Sequence, residues 1–485
     1  MLFNSLTYLI FLPATAIIYF SLPCRLRWMF LLAASWIFYM AWRPELIILL
    51  LFTTFANYLA AILINASKEE KSRKLALAAC MIVNFSLLFA FKYLDFFLSS
   101  ARALFALAGI TLPAREFSLV LPMGISFYTF QAASYTLDVY FRRIKPEPNF
   151  FKVSLFLTFF PQLVAGPIER AENLLGQLFI DSKPQASNIA AGIKLLLIGY
   201  FKKAVVADRL SAAVAAVYAS PRNFGGLSLS VATIFFAFQI YCDFSGYSDI
   251  ALASAKILNI DLMQNFRQPY LSSSVKEFWR RWHISLSEWL KDYLYIPMGG
   301  GRTSKLKRVR NVMLTFAASG LWHGANWTYV VWGLMHGAFQ AAGDLLGKPC
   351  GAAFEFAPKR FRAILGTIST FCLTCLAWVF FRAASLKDAC YIASHLTDDF
   401  RLWGSAVHVY QTLSGMGPGF LEILINFGLV AFVAALDIFA GDESVFQKAQ
   451  KLPAAAQAAL YFIISLGIIS LGVFYNAGQF IYFQF

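Results

Sequence analysis

Residues 311–339 read NVMLTFAASGLWHGANWTYVVWGLMHGAF. No Asp, Glu, Lys or Arg interrupts the run, and it exceeds the roughly 20 residues that a helix needs to cross hydrocarbon. A helix is expected there because it satisfies every backbone polar group internally, which lipid cannot do. The run is also long enough to hold a span plus a broken or re-entrant piece. It carries two histidines, His323 and His336. An ionisable group at membrane depth is costly and by default marks a functional path or a buried pair. Gly320 and Gly324 flank His323, and they predict a thinned helix that a substrate can approach. His336 falls about 220° further around a continuous helix, so a packing role is expected for it.

The whole chain has the same character. Of 485 residues, 59% are apolar, 17% aromatic and only 14% charged. A soluble domain carries about 45–50% apolar and about 25% charged residues, so these charges cannot cover a water-facing surface. The composition predicts an integral membrane protein and excludes a disordered chain, a disulfide scaffold and a nucleic-acid-binding domain. Twelve apolar stretches stand near 5–22, 28–42, 45–65, 76–98, 118–140, 151–166, 189–206, 227–260, 311–345, 361–381, 419–440 and 456–475. One or two are too short to cross, which gives about eleven spans in one all-α, membrane-embedded domain. The first run lacks a basic flank and continues past Pro13, so no cleavable signal is expected. Residues 383–418 read as the only long loop late in the chain.

The net charge of +15 has a membrane explanation. Excess Lys and Arg collect in short cytoplasmic loops and meet anionic lipid headgroups. Loops at 24–27, 67–74 and 141–148 are basic and alternate with poorer ones, which places them in the cytoplasm and the N-terminus outside. The stretch 267–310 holds ten Lys and Arg against Glu277, Glu288 and Asp292, and is expected on the cytoplasmic side. The seven cysteines are odd in number and lie in or beside apolar runs, so buried thiols are expected, Cys372 and Cys375 included.

Chemistry, if present, rests on histidine, of which there are five. Its unperturbed pKa of about 6.5 lets it take and give a proton near neutrality. His283 lies in SSSVKEFWRRWHISLSEWLKDYLYIP, which opens on Ser274-x-x-Glu277 and stops at Pro297. Read as one helix, it puts Val275, Phe278, Trp279, Trp282, Leu286, Trp289 and Tyr293 on one face, and Lys276, Arg280, His283, Ser287 and Lys291 in a stripe on another. Such a segment is too polar to span and should lie in the interface. Its cations suit an anionic cosubstrate such as a phosphate-bearing acyl carrier. Asp243 and Asp249 stand in a second apolar stretch beside Ser245, Gly246 and Ser248, suggesting a broken helix around a polar cavity and pairing with Arg267, Arg280 or Arg281. His395 and His408 lie in the late loop without context. No Walker loop, nucleophile elbow, zinc-protease motif or dinucleotide fingerprint is present.

Together with MLFNSLTYLIFLP, these blocks resemble the membrane-bound O-acyltransferase family. They are MGISFYTFQAASYTLDVYFRR (123–143), FFPQLVAGPIER (159–170), YCDFSGYSDIALASAKILNI (241–260), NFRQPYLSSSVKEFWRRWHISLSEWLKDYLYIPMGG (265–300) and LWHGANWTYVVWGLMHG (321–337). The likeness points to the bacterial branch that modifies alginate or D-alanylates teichoic acid, and it covers the chain to about residue 340. It implies a ring of transmembrane helices around a tunnel, with His323 catalytic and His283 the second functional histidine. Arg280, Arg281, Asp243, Asp249 and Asn326 become candidate substrate-binding residues.

The implied reaction moves an acyl group, acetyl foremost, from a cytoplasmic thioester such as acetyl-CoA or an acyl carrier to hydroxyls of an exported polysaccharide such as alginate. No bound cofactor or metal is expected. The implied partners are membrane lipids, the polysaccharide and periplasmic acetyl-transfer proteins, with no nucleic acid, at a bacterial inner membrane. Peptidoglycan O-acetylation and D-alanyl transfer are the enzymatic alternatives. A transporter subunit is the non-enzymatic one, and it lacks the internal repeat it would need.

Overall fold

A computed structural model describes residues 1–111, 113, 117, 119–353, 358–474, 480 and 481, with side chains left undescribed at 346–353. The described residues form helices and connecting loops, with no strand among them. Six helical segments are long and apolar enough to cross a membrane: Pro44–Ala66, Glu70–Leu107, Gly226–Ile257, Lys359–Arg382, Phe420–Ala440 and Ala454–Leu471. Leu6–Ser21 is apolar but shorter. Several other stretches that read as spans are interrupted. The run 151–166 breaks at Phe159, 189–206 passes into a π-turn at Phe201–Ala207, and 311–345 divides after His323.

The chain packs as two compact units. The first comprises Met1–Ile193 and Ile250–Met263. Its interior is held by polar bonds that lipid cannot compete for. Asn57 and Asn84 exchange reciprocal amide bonds of 2.9 and 3.0 Å, and the Thr136 hydroxyl donates to Asn57 Oδ1 at 2.8 Å. The loop after Leu163 buries Glu169, which accepts from Asn173 Nδ2 at 2.7 Å and from the Met263 amide at 2.5 Å. Burial pushes the Glu169 carboxyl up to about 7.

The second unit comprises Lys194–Asp249 and Gln264–Phe485. The helix Gly226–Ile257 is continuous over 32 residues, so the broken helix expected around Asp243 and Asp249 does not form. Its most apolar window is 78% buried, against 11–39% for the other five spans, which makes it a core helix rather than a lipid-facing one. The carboxylates pair with lysines rather than with Arg267, Arg280 or Arg281. Lys203 Nζ bridges Asp243 and Asp208, each at 2.8 Å, and Lys202 Nζ meets Asp249 at 2.8 Å. The lysines sit in the π-turn Phe201–Ala207. At Gly246 a Cβ would lie 2.8 Å from the Gly199 carbonyl, so the backbones touch where the charges pair.

Residues 305–353 form a helical hairpin, Lys305–His323 and Trp327–Ala353. A Cβ on Gly320 would stand 2.2 Å from Tyr329 O, and one on Gly333 2.2 Å from Phe316 O. Gly320 therefore admits the partner helix, not a substrate. Between 383 and 418, where a loop was expected, the chain forms the helices Leu386–His395 and Ala406–Ser414. The Asp399 carboxylate between them accepts from the Leu227 amide at 2.9 Å and pairs with His408 Nε2 at 3.1 Å. Cys80, Cys242 and Cys375 are buried as expected, but Cys24, Cys372 and Cys390 are exposed. Cys350 lies outside the described side chains.

Candidate active site

The segment around His283 is not one helix. Val275–Arg281 and Ile284–Leu290 are separate helices, with Trp282 extended at φ −108°, ψ 128° and His283 left-handed at φ 42°, ψ 56°. The break has no Gly or Pro, so it is held from outside. Asn265 supplies the clip: its carbonyl accepts from the Ile284 amide at 3.0 Å, and its Oδ1 accepts from the Ser285 hydroxyl at 2.6 Å. The Arg267 amide donates to Arg281 O at 2.9 Å beside it. A non-glycine residue in this region costs on the order of 1–3 kcal/mol and persists where its surroundings impose it.

The break rotates His283 out of the basic stripe in which continuous periodicity placed it. His283 is fully buried, with its ring 4.7 Å from Phe244 and near-perpendicular to it. Burial alone pulls its imidazole down to about 3, which keeps it neutral at physiological pH. Of the capping box that Ser274-x-x-Glu277 predicts, only half forms: the Ser274 hydroxyl accepts from the Glu277 amide at 3.2 Å, while the Glu277 carboxylate accepts from the Ser273 amide rather than from that of Ser274.

His323 is the last residue of its helix and is 2% exposed. Edge-on rings enclose it: Trp332 at 4.9 Å, Trp322 at 5.0 Å and Phe381 at 5.5 Å between centroids. The imidazole of His283 also stands against it, at 6.2 Å. A Cβ on Gly324 would lie 2.2 Å from the Tyr329 ring, so this glycine lets the hairpin turn tightly behind the histidine. Because the helix ends here, the angular relation drawn between His323 and His336 across a continuous helix does not apply. His336 is buried, accepts a 3.3 Å bond from Trp279 Nε1, and lies parallel to Phe278 at 6.0 Å.

A cavity of about 830 Å³ lies in the same unit, and neither His283 nor His323 lines it. Lys276, Arg280, Lys291, Lys305 and Arg308 border it against Glu288 and Asp344, while Trp279, Phe316 and Ser319 supply its inner wall. Ser319 is one helical turn before His323, and Ile284, also on the wall, follows His283. The cavity separates the candidate residues. Arg280 borders it, whereas Arg281 pairs with Glu277 at 2.7 Å and Asp442 at 3.0 Å. Asp243 and Asp249 belong to the lysine pairs. Asn326 caps the helix Trp327–Ala353, its Oδ1 accepting from the Thr328 amide at 3.0 Å.

Three neighbours of the histidines escaped sequence reasoning, Asn265, Trp332 and Phe381, and so did Phe480, which packs behind Phe244. Phe480 stacks on Tyr247 at 4.5 Å and meets Phe244 at 5.6 Å, while the Ile481 amide donates to Asp243 Oδ2 at 2.8 Å. The aromatic residues look like ordinary apolar packing in sequence; Asn265, a polar residue opening the block 265–300, is the one whose position carried a signal.

The MBOAT, membrane-bound O-acyltransferase, family model matches residues 23–386. A protein named alginate O-acetylase in Azotobacter vinelandii is 37% identical over 391 residues, covering 80% of this chain and 76% of that one. The peptidoglycan O-acetyltransferase of Helicobacter pylori is 35% identical, covering 80% of this chain and 78% of its own. The teichoic acid D-alanyltransferase of Bacillus subtilis is 26% identical over 275 residues, covering 54% and 69%.

Proposed function

The chain belongs to the membrane-bound O-acyltransferase family and is a multi-pass acyltransferase, and from that premise we propose that it moves acetyl groups from a cytoplasmic thioester toward an exported polysaccharide at a bacterial inner membrane. The observation that carries this reading is the 6.2 Å approach of His283 and His323, whose chain neighbours Ile284 and Ser319 line a cavity bordered by five cations. Those cations suit the phosphates of coenzyme A or of a phosphopantetheine arm, because ammonium and guanidinium groups bind phosphate oxygens by charge-assisted bonds. The inner wall of Trp279, Phe316 and Ser319 suits the thioester end.

The step is direct acyl transfer. The acceptor oxygen attacks the thioester carbonyl carbon, a C–O bond forms and the C–S bond breaks. His323 takes the hydroxyl proton as the oxygen attacks and returns it to the leaving thiolate, so no proton is gained or lost. His283, neutral and fixed by its left-handed backbone, orients the reacting carbonyl. A thioester is already activated, so a positioned base suffices without a protein nucleophile. The alginate-type acceptor follows from relatives that carry that name, and periplasmic transfer proteins are its expected partners. Peptidoglycan is the second reading, favoured by a relative of similar identity and coverage.

The test is transfer of labelled acetyl from acetyl-CoA by membranes containing the full chain, assayed on alginate and on peptidoglycan in parallel. Label on alginate supports the reading. Label on peptidoglycan alone moves the acceptor, and donor-independent behaviour in both overturns the mechanism.

A further inference from the structure

Trp332 lies on the helix Trp327–Ala353, and its indole is fully buried. A buried indole N–H ordinarily finds an acceptor, because a donor left dry is costly. Its neighbours obey that rule. Trp279 Nε1 donates to His336 Nδ1 at 3.3 Å, and Trp378 Nε1 donates to the Tyr270 hydroxyl at 3.1 Å. Trp378 stacks on Trp332 at 5.6 Å and 19°, yet of these two near-parallel indoles only Trp378 is satisfied. Trp332 Nε1 has no acceptor among the described residues. Trp282 Nε1 shares that lack, with its ring on Phe266 at 5.0 Å and Phe278 at 5.5 Å; what sets Trp332 apart is its place.

Trp332 stands directly against the base. Its ring centroid is 4.9 Å from that of His323, and it is also 5.7 Å from Trp279, which lines the basic cavity. Gly333, the next residue, packs so tightly on Phe316 of the partner helix that the backbone carrying the indole is fixed. Ser319 is a second polar mark between cavity and base. It lines the cavity and is buried one turn before His323. Helical Ser and Thr hydroxyls commonly bond back to the carbonyl four residues earlier, as Thr315 does to Asn311 O at 2.7 Å. The Ser319 hydroxyl makes no such bond and has no partner among the described residues.

We propose that the Trp332 indole N–H holds the oxygen of the donor's thioester carbonyl and stabilises the negative charge that gathers there as the hydroxyl attacks. The attack forms the C–O bond and moves the carbonyl π electrons onto oxygen. The N–H···O bond strengthens as that charge grows, and no proton leaves the indole. When the electron pair returns to the carbonyl, the C–S bond breaks. A donor already fixed and dry acts without reorganisation at the moment of reaction, which makes it worth more than the same bond in water. The thioester enters from the cavity along the Ser319 side and meets His323 and Trp332 together. The inference rests on the acyl-transfer reading given above.

The full chain in lipid nanodiscs is loaded, without acceptor, with acetyl-CoA labelled with carbon-13 at the thioester carbonyl, and the bound carbonyl stretch is read by infrared difference spectroscopy. Transfer kinetics are then measured with whichever acceptor supports them. The wild-type stretch should lie below that in Trp332→Phe, which keeps an aromatic ring and loses the N–H. The same variant should lose about 10²–10³-fold in kcat, with donor KM moved far less. Trp332→Tyr, which returns a donor to the ring's edge, should recover part of both. Trp378→Phe, which breaks the bond to Tyr270, should lower the melting temperature and leave the stretch unmoved. An identical stretch in wild type and Trp332→Phe, or a kcat within a few-fold, overturns the assignment and leaves the indole to a buried water or to packing. Should Trp332→Phe not fold, the wild type alone decides: a stretch at the frequency of acetyl-CoA in an aprotic solvent overturns the contact. A lowered, Trp332-dependent stretch without acetyl transfer upholds the contact and removes the transfer reading instead.

Discussion

The imidazoles of His283 and His323 stand 6.2 Å apart, centroid to centroid, at an interplanar angle of 56°. One ring is carried by a left-handed residue between two short helices, and the other by the final residue of a longer one. Both therefore sit at helix ends, where a reacting group can approach without displacing helical backbone. In the proposed reaction, that spacing would let both rings reach one thioester carbonyl and its attacking hydroxyl.

The backbone of His283 allows its chemistry to be separated from its fold. Asn tolerates the left-handed region, and β-branched residues do not. His283→Asn should keep folding near wild type while cutting acyl transfer at least tenfold. His283→Val should add a loss of about 1–3 kcal/mol in stability. Thermal melts alongside transfer rates check this, and a His283→Asn protein of full activity would remove the residue from the site.

Arg280 and Arg281 are adjacent in sequence but divided by the cavity wall. Arg280→Glu should raise the donor KM by about 10–100-fold, with a shallower salt dependence, because the side chain borders the cavity. Arg281→Glu should leave donor KM near wild type and weaken the contact with Asp442. Donor titrations at two ionic strengths decide, and equal KM shifts in the two variants would contradict the division.

Asp243 and Asp249 are read as structural. Removing one partner of a buried pair leaves an uncompensated charge, at a cost of about 3–5 kcal/mol. Lys203→Met strands two carboxylates and should lose folded protein most severely. The Asp249→Ala protein that does fold should retain its activity per molecule. Monodispersity on size exclusion, followed by transfer rate per folded molecule, checks this. A well-folded Asp249→Ala protein with no activity would restore the substrate-binding assignment.

How much of this was legible in the sequence varied with the physics. Membrane class and the two histidine blocks were legible, because apolar composition and rare ionisable residues need no tertiary knowledge. The break at His283 was not: helical periodicity runs through WRRWHIS, and the force that breaks it comes from Asn265, eighteen residues earlier. Gly320 was read as room for a substrate, but the space belongs to Tyr329 on the partner helix. The partners of Asp243 and Asp249 were misassigned to arginines because the register of the π-turn at Phe201–Ala207, which brings up Lys202 and Lys203, has no mark in the sequence.

Acidity should weaken the fold through His283. The folded imidazole stays neutral down to about 3, while an unfolded histidine takes its proton near 6.5. Between those values the unfolded chain binds the extra proton, so stability falls as pH drops from about 6.5, and His283 adds no slope above it. His283→Asn should flatten that slope by up to about 1.4 kcal/mol per pH unit. Melting curves from pH 7.5 to 4.5 measure this, and parallel slopes in both proteins would contradict neutral burial.

The central claim is that His323 is the base. His323→Gln keeps similar size and some hydrogen bonding but cannot accept a proton near neutrality. General-base catalysis contributes about 10²–10⁴-fold, and the indole and phenyl rings packed on His323 cannot supply a base. Because His336 accepts from Trp279 on the cavity wall, His336→Gln serves as the comparison and should lose far less activity, with donor KM rather than kcat affected. The deciding measurement is acyl transfer per folded molecule for His323→Gln in membranes. The account predicts a fall of at least 10²-fold with normal insertion; a rate within a few-fold of wild type would contradict it.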